Sequence, residues 1–257
     1  MKRNTIVCKI GTAVLTRKSK KADKLDLNVL NDLAEEISKT MEDFKAKIVL
    51  VSSGAIGSGK AKIQLNSGPE NTVDQAYASV GQSVLMSKYQ DAFNAADPKR
   101  TVAQLLLTSA ELQRTKEEKY AENLINYLLD NKIVPIVNAN DAIDLSELLK
   151  SDNDNLAQEL AIQIRANLLI LLTNVEGFYE GDDLISQISY TQLDEDYIKK
   201  HIKTKSHSGR GGMDSKLLAA RKAAEKGIPT YIVNGKDPGN LSAIIRGEAI
   251  GTKITTK

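Results

Sequence analysis

One mainly parallel β-sheet with helices on both faces, an α/β architecture, is predicted for this chain by three observations. Short apolar runs alternate with amphipathic runs along nearly the whole length. Polar residues keep recurring just past the ends of the apolar runs. A chain of 257 residues with 41% hydrophobic residues can bury one substantial core, so a single domain over residues 1–257 is the default.

Residues 5–10 read as a buried strand carrying Lys9 and ending at Gly11 and Thr12. Residues 29–44 place Leu30, Leu33, Ile37, Met41 and Phe44 at helical spacing. A strand at 47–51 runs into Ser52, Ser53 and Gly54, where a glycine lets the backbone approach a ligand closely. A long helix is expected over 73–93 with Val73, Tyr77, Val80 and Val84 on one side, then a strand at 102–107 and a helix at 120–129 with Leu124 and Leu128 inward. The strand at 133–137 delivers Asn138, Asn140 and Asp141. Asp152, Asn153, Asp154 and Asn155 stand where the next helix begins, with Leu156, Leu160 and Ile164 following at helical spacing, so the run reads as a well-supplied Asx cap with side chains to spare. The strand at 168–172 delivers Thr173 and Asn174. From 178 to 208 the pattern weakens into a partly ordered, lid-like excursion with a short helix near 194–200. A helix at 214–226 ended by Gly227, a strand at 230–233, a helix at 238–245 and a strand at 250–254 complete the sheet. Ligands in such folds bind beyond the carboxyl ends of the strands, where this chain puts Lys9, Ser53, Asn138, Asp141, Thr173 and Asn174.

Composition removes several functions. Lys and Arg number 35 against 33 Asp and Glu, which gives no electrostatic case for nucleic acid as a partner. Cys8 is the lone cysteine, so neither a disulfide framework nor a cysteine metal site is expected, and a reducing cytoplasm fits. The N-terminal apolar run is too short for a signal peptide or a membrane span.

The segment GAIGSGKA, 54–61, matches the start of a nucleotide phosphate loop but fails at its last position, because Ala61 has no oxygen for magnesium. No G-x-G-x-x-G follows a strand, and His201 and His207 lack partners at metal or triad spacing; no protein-held metal is expected. The better phosphate site is GRGGMDSK, 209–216, because adjacent glycines at a helix start expose N–H groups and the helix dipole attracts an anion. Lys216 falls on the first turn of that helix. Lys9, within an apolar strand, is costly unless its ammonium meets water, a carboxylate or a ligand. Two such lysines beside a phosphate-binding loop suggest phosphoryl transfer, which needs positive charge on the moving group and firm positioning of both substrates.

KIGTAVL at 9–15, VSSGAIGSG at 51–59, the VGQS-containing helix, IVPIVNAND at 133–141, SDNDNLA at 151–157, LLILLTNVEGFY at 168–179 and GRGGMDSK together resemble the amino acid kinase superfamily. The combination of SSGAI, V-N-x-N-D and D-N-D-N-L is most similar to its glutamate 5-kinase (gamma-glutamyl kinase) branch. The resemblance implies a three-layer αβα fold and transfer of the ATP γ-phosphoryl to the side-chain carboxylate of L-glutamate, the first step of proline biosynthesis, with magnesium carried by the nucleotide. It implies Lys9 and Lys216 as charges on the transferring phosphoryl and Asp154 as the carboxylate between them. Ser53, Gly54, Asn138, Asp141 and Asn153 would hold glutamate. Lys9, Gly11, Thr173, Asn174, Arg210, Gly211, Gly212, Met213, Asp214, Ser215 and Lys216 would hold ATP. Residues up to about 150 would bind the acceptor and those from about 151 the nucleotide. It further implies feedback inhibition by proline, a cytoplasmic homo-oligomer (dimer or tetramer), and, since the chain stops soon after RGEAIGT, no PUA domain. Three positions depart from the pattern: Ala139 for an acidic residue, Asn174 for aspartate and Arg210 for a small residue.

Overall fold

The computed structural model describes residues 4–17, 24–112, 115–143, 153–202 and 212–257. In chain order the principal elements are β1 (Thr5–Ile10), α1 (Leu27–Asp43), β2 (Lys47–Ser52), α2 (Ala55–Lys62), α3 (Glu70–Ala95), β3 (Val102–Leu107), α4 (Thr115–Asp130), β4 (Val134–Ala139), α5 (Asn153–Gln163), β5 (Leu168–Thr173), β6 (Gln187–Ser189), α6 (Glu195–His201), α7 (Met213–Glu225), β7 (Thr230–Asn234), α8 (Asn240–Arg246) and β8 (Thr252–Thr255).

All six residues of β1 are buried, as a strand must be when both faces of its sheet are covered. It lies between β5 and β2 in an eight-stranded sheet of order β6-β8-β7-β5-β1-β2-β4-β3. The side chains of β1 alternate with the pleat. Val7 joins Val49, Ile125, Leu156, Leu160 and Leu217 on the face covered by α4, α5 and α7. Ile6, Cys8 and Ile10 join Leu30, Leu85, Tyr89 and Ile244 on the face covered by α1, α3 and α8. This is the expected three-layer arrangement. Each large apolar side chain so buried contributes about 1.5–3 kcal/mol, so the two clusters dominate stability. The same period of two puts Lys9 on the face of Val7, beneath α5 and α7.

The sheet is parallel except at one edge, where β8 runs antiparallel to β7 and carries β6 alongside it. The weakly patterned excursion expected from 178 is ordered over its described part. Tyr179–Glu180 pairs with Asp183–Leu184 as a hairpin, β6 joins the main sheet, and α6 follows with an Asp194 cap whose side chain accepts from Tyr197 N–H at 2.7 Å. Phe178 N–H is tied to Thr252 Oγ1 at 2.8 Å, and Tyr197 donates its hydroxyl to Glu180. Burial first, and that bond second, push the Tyr197 phenol up to about 12. Such bonds have no signature in hydrophobic period, which is why the segment reads as irregular. Residues 203–211, including His207, lie outside the described residues.

Helix faces also differ from expectation. On α3 the buried stripe is Asp74, Ala78, Gly81, Gln82, Leu85, Tyr89 and Ala92, rotated by about one residue from Val73, Tyr77, Val80 and Val84. The cause is a close crossing with α2. A Cβ on Gly81 would lie 1.8 Å from the Ala55 carbonyl oxygen, and one on Gly59 would lie 2.0 Å from that of Tyr77, so the two glycines set which face turns inward. On α4, Ile125 and Leu129 are buried while Leu124 is 49% exposed, the reverse of the reading that put Leu124 inward.

Candidate active site

Lys9 reaches the carboxyl end of the central strand, and α5 begins directly over it. The Asx run is not simply a cap: Asn153, Asp154 and Asn155 form the first turn of α5 itself, while Asp152 lies outside the described residues. Starting the helix at Asn153 turns Asn153 and Asp154 into the interior, with Asp154 fully buried. An anion at a helix N-terminus is favoured by the macrodipole. Its two oxygens are divided between two cations: Oδ1 lies 2.5 Å from Lys9 Nζ, and Oδ2 accepts from Lys216 Nζ at 3.0 Å. Lys216 comes from the first turn of α7, and both lysines are almost as buried as the carboxylate. Gly11 closes the end of β1 over this cluster; a Cβ there would sit 3.5 Å from Lys9 Nζ.

A second group of polar side chains lies beside the first. Asn153 Nδ2 is shared among the Ser52 carbonyl at 2.9 Å, Ser53 Oγ at 2.8 Å and Asn138 Oδ1 at 3.0 Å. Asn138, at the end of β4, accepts a further bond from Ala139 N–H at 2.9 Å and donates its own Nδ2 to Gln82 Oε1 at 2.9 Å. Asn153 Oδ1 is buried with no hydrogen-bond partner among the described residues. Gly54 takes φ +107, a left-handed turn that suits glycine, and opens α2. Asp141 is half-buried in the turn after β4, which is tied to α3 by Gln75 Nε2 donating to the Ala142 carbonyl at 3.1 Å. Ala139 packs in the apolar cluster with Val137 and Leu156.

The residues expected around ATP are less closely knit. Thr173 ends β5, buried, with its carbonyl accepting from Gly235 N–H at 2.8 Å, and Asn174 follows it into solvent. Gly212 caps α7, Met213 and Ser215 are half-buried on its first turn, and Asp214 is exposed. Arg210 and Gly211 lie outside the described residues.

Sequence reading passed over Gln82 and the Ser52–Tyr89 pair, whose hydroxyls lie 2.8 Å apart under the site. Burial pushes the Tyr89 phenol upward, so it stays protonated. Gln82 interrupts a buried stripe that is otherwise mostly apolar or small, a signal that appears only once the inward face of α3 is known. GAIGSGK, by contrast, forms α2 and its N-cap, and Lys60 from it pairs with Asp74 at 2.9 Å. Its glycine spacing serves the helix crossing. Cys8 is buried with its thiol raised by that burial. Among the described residues no group of three or more metal-binding side chains comes together, and no helix is long and apolar enough to cross a membrane.

Comparison with known proteins agrees with this geometry. The model of the amino acid kinase family matches residues 4–234. A glutamate 5-kinase of Rippkaea orientalis is 38% identical over 260 residues, covering 98% of this chain and 69% of that relative. One of Clostridium perfringens is 35% identical over 262 residues, covering 98% of this chain and 95% of the relative. Among solved structures, a Giardia carbamate kinase superposes over 100% of both chains with a TM-score of 0.70 at 17% identity, a likeness of fold. The chain belongs to the amino acid kinase family, on its glutamate 5-kinase branch.

Proposed function

We propose that this protein transfers the γ-phosphoryl group of ATP to the side-chain carboxylate of L-glutamate, giving L-glutamyl 5-phosphate and ADP at the entry to proline biosynthesis. The observation that carries the reading is the buried Asp154 with one lysine on each oxygen, in a chain that matches glutamate 5-kinases along nearly all of its length. The acceptor carboxylate is already ionised at neutral pH, so no general base is required. A lone pair on its oxygen forms the new O–P bond, and the bond between the γ-phosphorus and its bridging oxygen breaks with its electrons leaving on ADP. No proton moves. The difficulty is that two anions must meet, and catalysis consists of positioning them and offsetting their charge.

Lys9 and Lys216 serve that purpose as catalytic residues on the phosphoryl oxygens, and Asp154 keeps two ammonium groups together that would otherwise repel. In a site dry enough to bury all three, such charges act far more strongly than they do in water. Magnesium supplies further neutralisation of the phosphates when bound. Both oxygens of Asp154 face lysines, a donor set that fits a metal carried by the nucleotide rather than by this carboxylate. Gly11, Thr173, Asn174 and the segment 210–216 hold ATP, with the N–H groups opening α7 facing its phosphates.

Glutamate binds across Ser53, Gly54, Asn138, Asp141 and Asn153. The α-ammonium is met by acceptors, the Asp141 carboxylate and the buried Asn153 Oδ1, while the Ser53 hydroxyl and the Gly54 N–H donate to carboxylate. Proline shares the α-carboxylate and cationic nitrogen but has no side-chain carboxylate, so it competes with glutamate. Residues up to about 150 supply most acceptor groups and those from about 151 most nucleotide groups of one catalytic domain, with Asn153 crossing to the acceptor and Lys9 and Gly11 to the nucleotide, and the family resemblance supports a cytoplasmic dimer or tetramer. The test is ADP release over a panel of L-glutamate, N-acetylglutamate, aspartate, carbamate and UMP. Turnover with L-glutamate well above the rest is expected; preference for another acceptor would overturn the assignment.

A further inference from the structure

We propose that Gln82 of α3 is a positioning residue for the acceptor site, acting through Asn138 on Asn153. The proposal rests on the glutamate reading above and adds to it a residue outside the groups that would touch substrate.

The polarity of the amide chain follows from backbone groups whose roles are unambiguous. The Ala139 N–H can only donate, so the Asn138 atom 2.9 Å from it is the oxygen. The Ser52 carbonyl can only accept, so the Asn153 atom 2.9 Å from it is the nitrogen. Two consequences follow. Asn153 keeps its oxygen off the three acceptors that its Nδ2 meets, buried and with no hydrogen-bond partner among the described residues, which leaves it for an ammonium group in the acceptor-site reading. Asn138, 1% exposed, is left with an NH2 group that must find an acceptor on the α3 side of the sheet, and Gln82 Oε1 supplies it at 2.9 Å.

Packing alone does not account for glutamine at this position. Its neighbours on the inward stripe, Ala78, Leu85 and Ala92, are apolar, and Gln82 Nε2 is buried without a hydrogen-bond partner among the described residues. A buried polar group left unsatisfied is unfavourable. What offsets that penalty is the bond its oxygen accepts from Asn138. The helix that presents it is anchored at both sides of Gln82, by Gln75 to the turn 141–143 and by Tyr89 to Ser52, so the acceptor oxygen is offered from a rigid element. Removing it leaves Asn138 without one of its restraints. The amide can then rotate in search of a partner, and the orientation of Asn153 loosens with it.

The test is steady-state kinetics and calorimetric glutamate binding on Gln82→Met, which keeps length without an acceptor, on Asn138→Ala, and on the double variant. Gln82→Met is expected to raise KM and Kd for glutamate about tenfold, the usual scale of one lost buried hydrogen bond. KM for ATP and kcat should stay within about twofold, and adding Gln82→Met to Asn138→Ala should change little more, since residues acting through one another are not additive. A merely structural role would instead raise both KM values or lower Tm in proportion, and that result would overturn the proposal, as would full additivity. If Asn138→Ala weakens glutamate while Gln82→Met is silent, the relay alone fails. If Asn138→Ala is silent, the acceptor-site reading fails and the relay with it. Gln82→Ala, measured the same way, decides the case where the methionine variant does not fold.

Discussion

Two carboxylates in this molecule each gather several cations, and they are built for different ends. Glu42, on α1, lies 2.9 Å from Arg100, 3.1 Å from Lys45 and 3.9 Å from Lys132, with 41% of its side chain exposed and two of those partners more exposed still. Asp154 has Lys9 and Lys216, with side-chain exposures of 0%, 4% and 7%. Solvent separates the two, because exposed pairs are screened and worth little, while buried charges are screened far less and are costly when one is left without any partner. The surface cluster ties α1 to the loop before β3. The buried one carries a desolvation cost that its mutual attraction need not repay, which fits the catalytic role proposed for it.

Breaking that comparison begins with Asp154→Ala, which leaves two buried ammonium groups without their shared carboxylate. It should lower unfolding free energy by about 3–5 kcal/mol and abolish turnover, read by urea denaturation and by ADP release. A variant as stable as the wild type would mean the cluster is hydrated and the contrast with Glu42 is false. Asp141→Ala is expected to raise KM for glutamate about 10- to 100-fold, the scale of a hydrogen bond to a charged group, and to weaken proline competition in parallel while KM for ATP holds. Equal effects on both substrates would place Asp141 elsewhere. The smallest effect belongs to Glu42→Gln. The Arg100 hydrogen bond first, then that of Lys45, hold the Glu42 carboxyl at about 2, below its ordinary 4.5. A depressed carboxylate stabilises the fold above pH 4.5, and that contribution fades as pH falls toward 2. The difference in Tm between Glu42→Gln and wild type should therefore be small at neutral pH and shrink between those limits, with kcat unchanged throughout.

The order of strands and helices was legible because β1, β2 and β5 are apolar on both faces and the polar residues stop them. Lys9 was legible for the opposite reason, as a cation that an apolar strand does not tolerate without a partner. What could not be read locally was rotation and direction. The face of α3 depends on how closely α2 crosses it, Gly59 against Tyr77 and Gly81 against Ala55, and β8 runs antiparallel to β7 at the edge of the sheet. The Asx run was read as the start of a helix, which begins at Asn153, but nothing local indicated that Asp154 would face inward to the lysines of β1 and α7. Gln82 escaped because a single glutamine on a long helix looks like solvent-facing surface until Asn138 is placed opposite it.

The central claim, that the buried lysines act on a developing charge rather than hold the fold, is tested most directly by kcat of Lys216→Ala at saturating glutamate and ATP, with Tm recorded on the same sample. Asp154 keeps Lys9 in this variant, so the fold should survive. The account predicts a fall in kcat of about 10²–10³, the cost of removing one preorganised charge from a dry site, with KM for glutamate little altered. Turnover within a few-fold of the wild type would contradict it.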